Sequence, residues 1–219
     1  MATFWTSPVI RFHAALNVRD GWTGRITRVQ ALAMSHPRAP FLAAFLLIVL
    51  SGLVLYLMGR QILCPCGYVL PWYGALGTAE GNMHLTDWYT PSHVIHGFAF
   101  FGVGWLVLRR LSLGWRFALA TLAEVSWEIL ENTPAVIQHY RDTTVSVDYM
   151  GDSVVNSTAD VIAMWLGFLL ARRLPIWASV AICLGFEVWT TLAIRDGLAL
   201  NILMLLAPSE TVLNWQSGG

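Results

Sequence analysis

The chain has 219 residues, of which 56% are hydrophobic and only 12% are charged. Soluble proteins carry about 25% charged residues, so this composition indicates an integral membrane protein. The 13 basic residues equal the 13 acidic residues in number, and the lack of net positive charge argues against nucleic-acid binding.

The N-terminal segment, residues 1–39, contains five arginines and no long apolar run. We predict that it is cytoplasmic and that it precedes a multi-pass transmembrane domain over residues 40–219. The first uncharged stretch, Pro40 to Gly59, has twenty residues, which is enough for a helix to cross a bilayer. It begins too late to be a secretory signal, so we expect a retained membrane anchor.

Four more apolar stretches of similar length follow along the chain. The five predicted spans cover residues 40–59, 91–108, 114–131, 153–171 and 175–194. The run LALNILMLL is too short to cross a bilayer and is predicted to be an interfacial or re-entrant segment. The predicted fold class is therefore all-α, a membrane helical bundle of about five transmembrane helices with a short C-terminal segment.

The arginines predict the orientation of these spans. The N-terminal segment and the links at residues 109–116 and 172–173 are arginine-rich and would share one side of the membrane. The positive-inside rule makes that side cytoplasmic. The loops at residues 60–90 and 132–152 would then face outward.

Carboxylates interrupt the third predicted span at its outer end, in the sequence EVSWEILEN. Glu124, Glu128 and Glu131 follow one another at spacings of four and three, so they lie on one face of a helix. A charged side chain costs about 2.5–3.5 kcal/mol at the centre of a bilayer on insertion scales. Such a stripe should therefore face the interior of the bundle.

Two other predicted spans bring polar groups to the same depth. In GDSVVNSTAD, Asp152, Asn156 and Asp160 recur every four residues, and in TPSHVIHGF, His93 and His96 are three residues apart. The inner halves of the spans are almost wholly apolar. Ionisable groups that share one depth in a membrane indicate a functional site.

Charge balance makes this interpretation more specific. Including Glu187 of the fifth span, six carboxylates fall in this layer, whereas Arg141 and Arg195 are the only cations expected near it. The remaining charge must be protonated, balanced by a bound cation or hydrated. Histidine together with carboxylate suits zinc, manganese or iron, so a divalent metal is the expected cofactor.

Some of these residues also fit purely structural roles. Asp152 and Ser153 follow a glycine and are typical of a helix N-cap. Asn132 precedes Thr-Pro and is typical of a helix end, and His139 and Arg141 are expected in a solvated loop. We expect no disulfide framework from the three cysteines, because the two in CPCG are too close in sequence for an easy bridge.

Four motifs, HGFAF, SWEILEN, YRDTTVSVDYMGDSVVNSTAD and IRDGLALNILML, resemble an uncharacterised family of small multi-pass membrane proteins of alphaproteobacteria. The resemblance covers residues 40–217 and implies a location in the bacterial inner (plasma) membrane. It implies no activity and no catalytic residues. The layout of outward-facing acids, with GDS and a later aspartate, also resembles that of VanZ-type membrane proteins. This second resemblance implies no substrate either.

The leading hypothesis is a membrane-embedded, metal-dependent hydrolase that acts on a lipid or lipid-linked substrate at the periplasmic face. The predicted metal ligands are His93, His96, Glu128, Glu131 and Asp152. The predicted general base or acid is Glu124 or Asp160. The predicted substrate-binding residues are Arg141, Arg195 and Asn156, where an arginine would receive an anionic headgroup.

Two other functions stay open from the sequence. A proton or cation pathway predicts ionisable residues along the full depth of the membrane. A non-enzymatic assembly or scaffold protein would bind another membrane subunit, and it predicts that the polar stripes face outward from the bundle.

Overall fold

The computed structural model describes residues 37–218, which contain eight α-helices and no β-strand. In chain order the helices are α1 (Ala39–Leu57), α2 (Thr90–Val107), α3 (Leu113–Glu131), α4 (Pro134–Thr143), α5 (Val154–Arg173), α6 (Ile176–Ile194), α7 (Leu198–Leu206) and α8 (Glu210–Gln216). The predicted cytoplasmic segment lies outside the described residues except at its last few positions.

The five long helices α1, α2, α3, α5 and α6 coincide with the five predicted spans to within two residues at each end. Three of them, α1, α5 and α6, are long and apolar enough to cross a membrane by length and composition. Two histidines make α2 less apolar, and α3 carries an arginine and three glutamates. The prediction of an all-helical membrane bundle is confirmed, and the segment predicted to be interfacial or re-entrant forms the short helix α7.

Hydroxyl caps and prolines determine where several helices begin. Ser112, Thr133 and Ser153 each accept a backbone N–H from the first turn of α3, α4 and α5, respectively. The cap of α5 is therefore Ser153, whereas Asp152 makes other contacts. Asn132 ends α3, as predicted.

The expectation of a loop around His139 and Arg141 is wrong, because both residues lie in α4. Thr133 caps this helix and Pro134 occupies its first turn, where the missing N–H of proline is not needed. The same Thr-Pro pair thus starts a new helix immediately after the end of α3.

Helices α2 and α5 cross in very close contact at two glycines. A Cβ atom added to Gly97 would lie 2.1 Å from the carbonyl oxygen of Met164, and one added to Gly167 would lie 2.0 Å from that of Val94. Only glycine permits this approach of the two backbones, which is the usual role of small residues where membrane helices pack.

Apolar and polar side chains occupy separate layers of the bundle. Ala44, Phe117, Val161, Met164 and Phe168 belong to one buried apolar cluster contributed by α1, α3 and α5. The carboxylates lie farther along α3 and nearer the start of α5. We call the end of the bundle with these carboxylates and the 58–89 loop the polar end.

The 58–89 loop contains a disulfide between Cys64 and Cys66, so the expectation that this pair is too close to bridge is wrong. The chain turns here, since Gly67 N–H donates to the carbonyl of Cys64. Their Cα atoms are 5.1 Å apart, a usual separation for a disulfide.

Candidate functional site

The polar stripes and the histidines meet in one buried cluster between α2, α3 and α5. His93 Nδ1 lies 2.7 Å from Glu124 Oε1 and 3.5 Å from Glu128 Oε1, and its Nε2 lies 3.9 Å from Asp160 Oδ2. His96 Nδ1 lies 3.1 Å and 3.2 Å from the two carboxylate oxygens of Glu124. These helices therefore bring together five of the predicted site residues.

The cluster is short of positive charge. Among the described residues, every ion pair within 4.0 Å involves a histidine, and no arginine pairs with a carboxylate. Glu128 is 1% exposed, and its Oε1 has no hydrogen-bond partner among the residues that the structure describes. A buried carboxylate oxygen without a partner is costly, so this position suits a proton or a bound cation.

Two overlapping groups of side chains have the spacing of metal ligands. His93, His96 and Glu124 form one group, and His93, Glu128 and Asp160 form the other, with ligand atoms within 4.8 Å of one another in each. When His93 donates its Nδ1–H to Glu124, the lone pair of its Nε2 is free on the side of Asp160. This carboxylate–histidine arrangement commonly orients a metal ligand in proteins.

Asp152 and Glu131, which the sequence suggested as ligands, lie outside both groups. Asp152 and Asn132 form a reciprocal pair, in which Asn132 Nδ2 donates to Asp152 Oδ2 and Asp152 N–H donates to Asn132 Oδ1, both at 2.7 Å. Tyr149 also donates its hydroxyl to Asp152. Burial raises the pKa of Asp152 to about 6. Glu131 borders the two cavities described below.

Asn156 joins the cluster to the 58–89 loop. Its Nδ2 donates to the carbonyl of His84 at 2.9 Å and to Asp87 Oδ2 at 3.1 Å. Thr90 then donates its hydroxyl to Asp160. Asn156 lines neither cavity, so its contacts in this structure are those of a residue that positions the loop.

The two arginines suggested as headgroup ligands lie away from the cluster. Both are exposed, with Arg141 Nε donating to the carbonyl of Val147 and Arg195 Nη1 donating to that of Trp215. Neither arginine lines either of the two cavities described below. In this arrangement they do not balance the charge of the buried carboxylates.

The first and more polar of two cavities, of about 360 Å³, opens beside the cluster. Its polar lining includes Asp87, His93, Asp152, Asp160 and Asp196 together with the hydroxyl-bearing Tyr89, Tyr140 and Tyr149. Burial raises the pKa of all three tyrosines, so they stay protonated. The sequence analysis did not identify these tyrosines as site residues. Their positions beside the polar motifs could have indicated that they lie near the site.

A second cavity, of about 330 Å³, also reaches His93. Its lining is mainly apolar and comes from Phe100, Ala123, Trp127, Leu198 and Ile202, with His96 and Glu124 at its polar edge. His93 is among the residues that line both cavities. A group bound at His93 is thus accessible from a polar and from an apolar compartment.

Comparison with known proteins identifies the family. The family described as "Protein of unknown function (DUF2585)" matches residues 55–218. The chain belongs to this family. A UPF0314 protein of Paracoccus denitrificans is 58% identical over 179 residues, which is 82% of this chain and 93% of the relative. This result confirms the resemblance to an uncharacterised alphaproteobacterial family.

Other members are similar over nearly their whole length. A UPF0314 protein of Rhizobium etli is 48% identical over 183 residues, covering 84% of this chain and 94% of the relative. One of Novosphingobium aromaticivorans is 48% identical over 195 residues, covering 87% and 98%. No solved structure matches the chain.

Proposed function

We propose that this protein is a metal-dependent hydrolase of the bacterial inner membrane, acting at the periplasmic face on a lipid or lipid-linked substrate. The observation that carries the proposal is the buried cluster of His93, Glu124, Glu128 and Asp160. Asp160 lines the more polar cavity, Glu124 lines the apolar one, and His93 lines both. A cluster with this excess of carboxylates suits a divalent cation.

The distances favour a division of roles that differs from the one suggested by sequence. We assign His93, Glu128 and Asp160 as ligands of zinc, manganese or iron, because Glu128 has an unpaired oxygen and Asp160 faces His93 Nε2. Glu124 then positions His93 and His96 by accepting an Nδ1–H from each. A divalent ion in such a site lowers the pKa of a bound water and polarises the bond to be cleaved.

The two cavities support a substrate with one polar and one apolar part. The second cavity is lined by Phe100, Trp127 and Ile202 and is open enough for a hydrocarbon chain. The first cavity carries carboxylates and tyrosine hydroxyls that suit a polar, hydroxylated headgroup. The bond to be cleaved would lie near His93, where the cavities adjoin.

The alternatives receive less support from the same observations. A scaffold with outward-facing polar stripes does not fit Glu124 and Glu128, which are at most 1% exposed within the bundle. A proton or cation pathway needs ionisable residues through the other half of the bundle, where Phe117, Met164 and Phe168 form an apolar core.

Metal content provides the first test. Protein purified in mild detergent without chelators should contain about one divalent ion per chain by mass spectrometry. Asp160→Asn should lose it, whereas Asp142→Asn should retain it, because Asp142 is an exposed residue of α4 whose side chain accepts a hydrogen bond from Gln138, away from the cluster. A folded wild-type protein that binds no added zinc, manganese or iron would contradict the proposal.

Hydrolysis is tested without knowing the substrate. Metal-loaded protein is incubated with a total lipid extract of Paracoccus denitrificans in ¹⁸O-labelled water, and the lipids are compared by mass spectrometry. We expect a product with one ¹⁸O atom in the wild-type and Asp142→Asn reactions but not with Asp160→Asn. Equal labelling in all three reactions would refute hydrolysis at this cluster.

A further inference from the structure

A second group of reactive side chains lies in the 58–89 loop, outside the carboxylate cluster. It consists of the Cys64–Cys66 disulfide, His84 and Glu80, with their sulfur, nitrogen and oxygen atoms within 4.8 Å of one another. His84 is fully buried, whereas the side chain of Glu80 is 37% exposed.

The two sulfur atoms have different surroundings. Cys64 is 5% exposed, and its Sγ accepts the backbone N–H of Cys66 at 3.2 Å. Cys66 is more exposed, and its Sγ lies 3.3 Å from the carbonyl oxygen of Tyr68. Cys66 is thus the accessible sulfur. Once reduced, it can donate an S–H to Tyr68, whereas Cys64 is already oriented as an acceptor.

His84 supplies a donor that has no acceptor while the disulfide is formed. Its Nδ1 accepts the backbone N–H of Leu70 at 3.2 Å, so its ring proton is on Nε2. That Nε2 is buried without a hydrogen-bond partner in the described part of the chain, since Glu80 Oε2 is 3.6 Å away. The rings of Tyr68 and Tyr73 pack against the imidazole and hold it in place. Native proteins rarely leave such a donor unpaired without a reason, and redox chemistry is one such reason.

We propose that Cys64 and Cys66 are a redox-active pair that exchanges with an external dithiol, and that His84 stabilises the reduced form. In the exchange, a partner thiolate attacks Cys66 Sγ, the Cys64–Cys66 bond breaks, and its electron pair goes to Cys64. The Cys64 thiolate accepts the N–H of Cys66 and the Nε2–H of His84. The partner's second thiolate then attacks the mixed disulfide and releases Cys66, which takes a proton.

The net reaction is balanced. The protein disulfide gains two electrons from the partner dithiol, which becomes a disulfide, and one of the two thiol protons stays on Cys66 while the other is released. The reverse reaction oxidises a partner dithiol. A hydrogen bond to a charged group is worth at least about a tenfold change in an equilibrium constant, so the contribution of His84 is measurable.

The test is a redox equilibrium of the full-length protein in detergent, in a Cys183→Ser background that leaves only this pair. The protein is equilibrated at pH 7 with mixtures of reduced and oxidised glutathione, and thiols are trapped and counted by mass spectrometry. We expect His84→Phe, which keeps an aromatic ring, to shift the equilibrium toward the disulfide by about tenfold or more. His84→Gln keeps an N–H donor, so its equilibrium should lie close to that of the parent protein.

Two further variants keep the test decisive if His84→Phe does not fold. Glu80→Gln removes a partly exposed negative charge beside the thiolate and should shift the equilibrium toward the dithiol by about two- to fivefold. Tyr73→Phe keeps the ring that packs on His84 and should leave the equilibrium unchanged within about twofold. Folded His84→Phe and Glu80→Gln proteins that match the parent would overturn the proposal. So would a reduced protein that binds stoichiometric zinc and does not exchange.

Discussion

The close crossing of α2 and α5 leads to a prediction that can be worked out from distances. In Gly97→Ala, the new Cβ would meet the carbonyl oxygen of Met164 at 2.1 Å, the amide nitrogen of Phe168 at 2.5 Å and the Cα of Gly167 at 2.8 Å. All three are backbone atoms, so no side-chain rotation relieves the overlap. The helices must separate by more than about 1 Å to restore ordinary contacts.

Overpacking of this kind costs about 1–3 kcal/mol when side chains can adjust, and here only the backbone can move. We therefore expect a loss of about 3 kcal/mol in the free energy of unfolding. For a chain of this size that corresponds to a fall of about 6–12 °C in melting temperature. Metal binding should weaken too, because His93 lies one helical turn from Gly97 and faces Asp160 across the crossing.

Thermal unfolding in mild detergent measures the effect, with Gly102→Ala as the matched control. Gly102 lies in the same helix, and a Cβ atom added there would have no other atom within 4 Å, so alanine should be neutral or raise stability by up to about 1 kcal/mol. If Gly97→Ala has the same melting temperature and metal affinity as the wild-type protein, the backbones of α2 and α5 are not in close contact at Gly97.

Three further substitutions test contacts at the polar end. Asn132→Leu removes both hydrogen bonds to the buried Asp152 and should cost about 2–3 kcal/mol in urea unfolding, whereas an unchanged midpoint would contradict the pairing. Burial raises the pKa of Asp196 to about 6 from 3.8. Its charge therefore destabilises the folded state above pH 6, and this loss of stability disappears as the pH falls toward 3.8. Asp196→Asn should therefore melt higher than wild type at pH 8 but not at pH 4, and a constant difference between the two pH values would refute this. Glu187→Ala removes the acceptor of two N–H groups at the start of α7 and should speed hydrogen exchange there, at a cost of about 0.5–2 kcal/mol.

The helices that the sequence predicts well are those whose formation depends on composition alone. A run of about twenty apolar residues can satisfy its backbone in a membrane only as a helix, so the bounds of α1, α5 and α6 follow from the sequence. In α2 and α3, histidines, an arginine and glutamates weaken this signal without removing it. Helix α4 lacks that signal, because PAVIQHYRDT is short and mixed in polarity. Its start at Thr133 and Pro134 is a local capping effect, and the same two residues are equally typical of a loop.

The candidate site was predictable as a layer but not as a set of contacts. Spacings of four and three put Glu124, Glu128 and Glu131 on one face of α3, and they do not determine which carboxylate meets His93. That choice depends on how α2 packs against both α3 and α5, and Gly97 and Gly167 permit its close approach to α5. The periodicity of each helix by itself contains no information about this approach.

Asp152 and Asn132 show a second way in which helical periodicity fails to predict contacts. Asp152 is four residues before Asn156 and eight before Asp160, so helical periodicity places all three on one stripe. Ser153, however, caps α5, and the residue before a cap is outside the helix and does not follow its period. The carboxylate of Asp152 is therefore free to turn toward Asn132 at the end of α3. The acids that contact His93 all lie within helices. Asp152, one residue before the cap of α5, instead links the start of α5 to the end of α3.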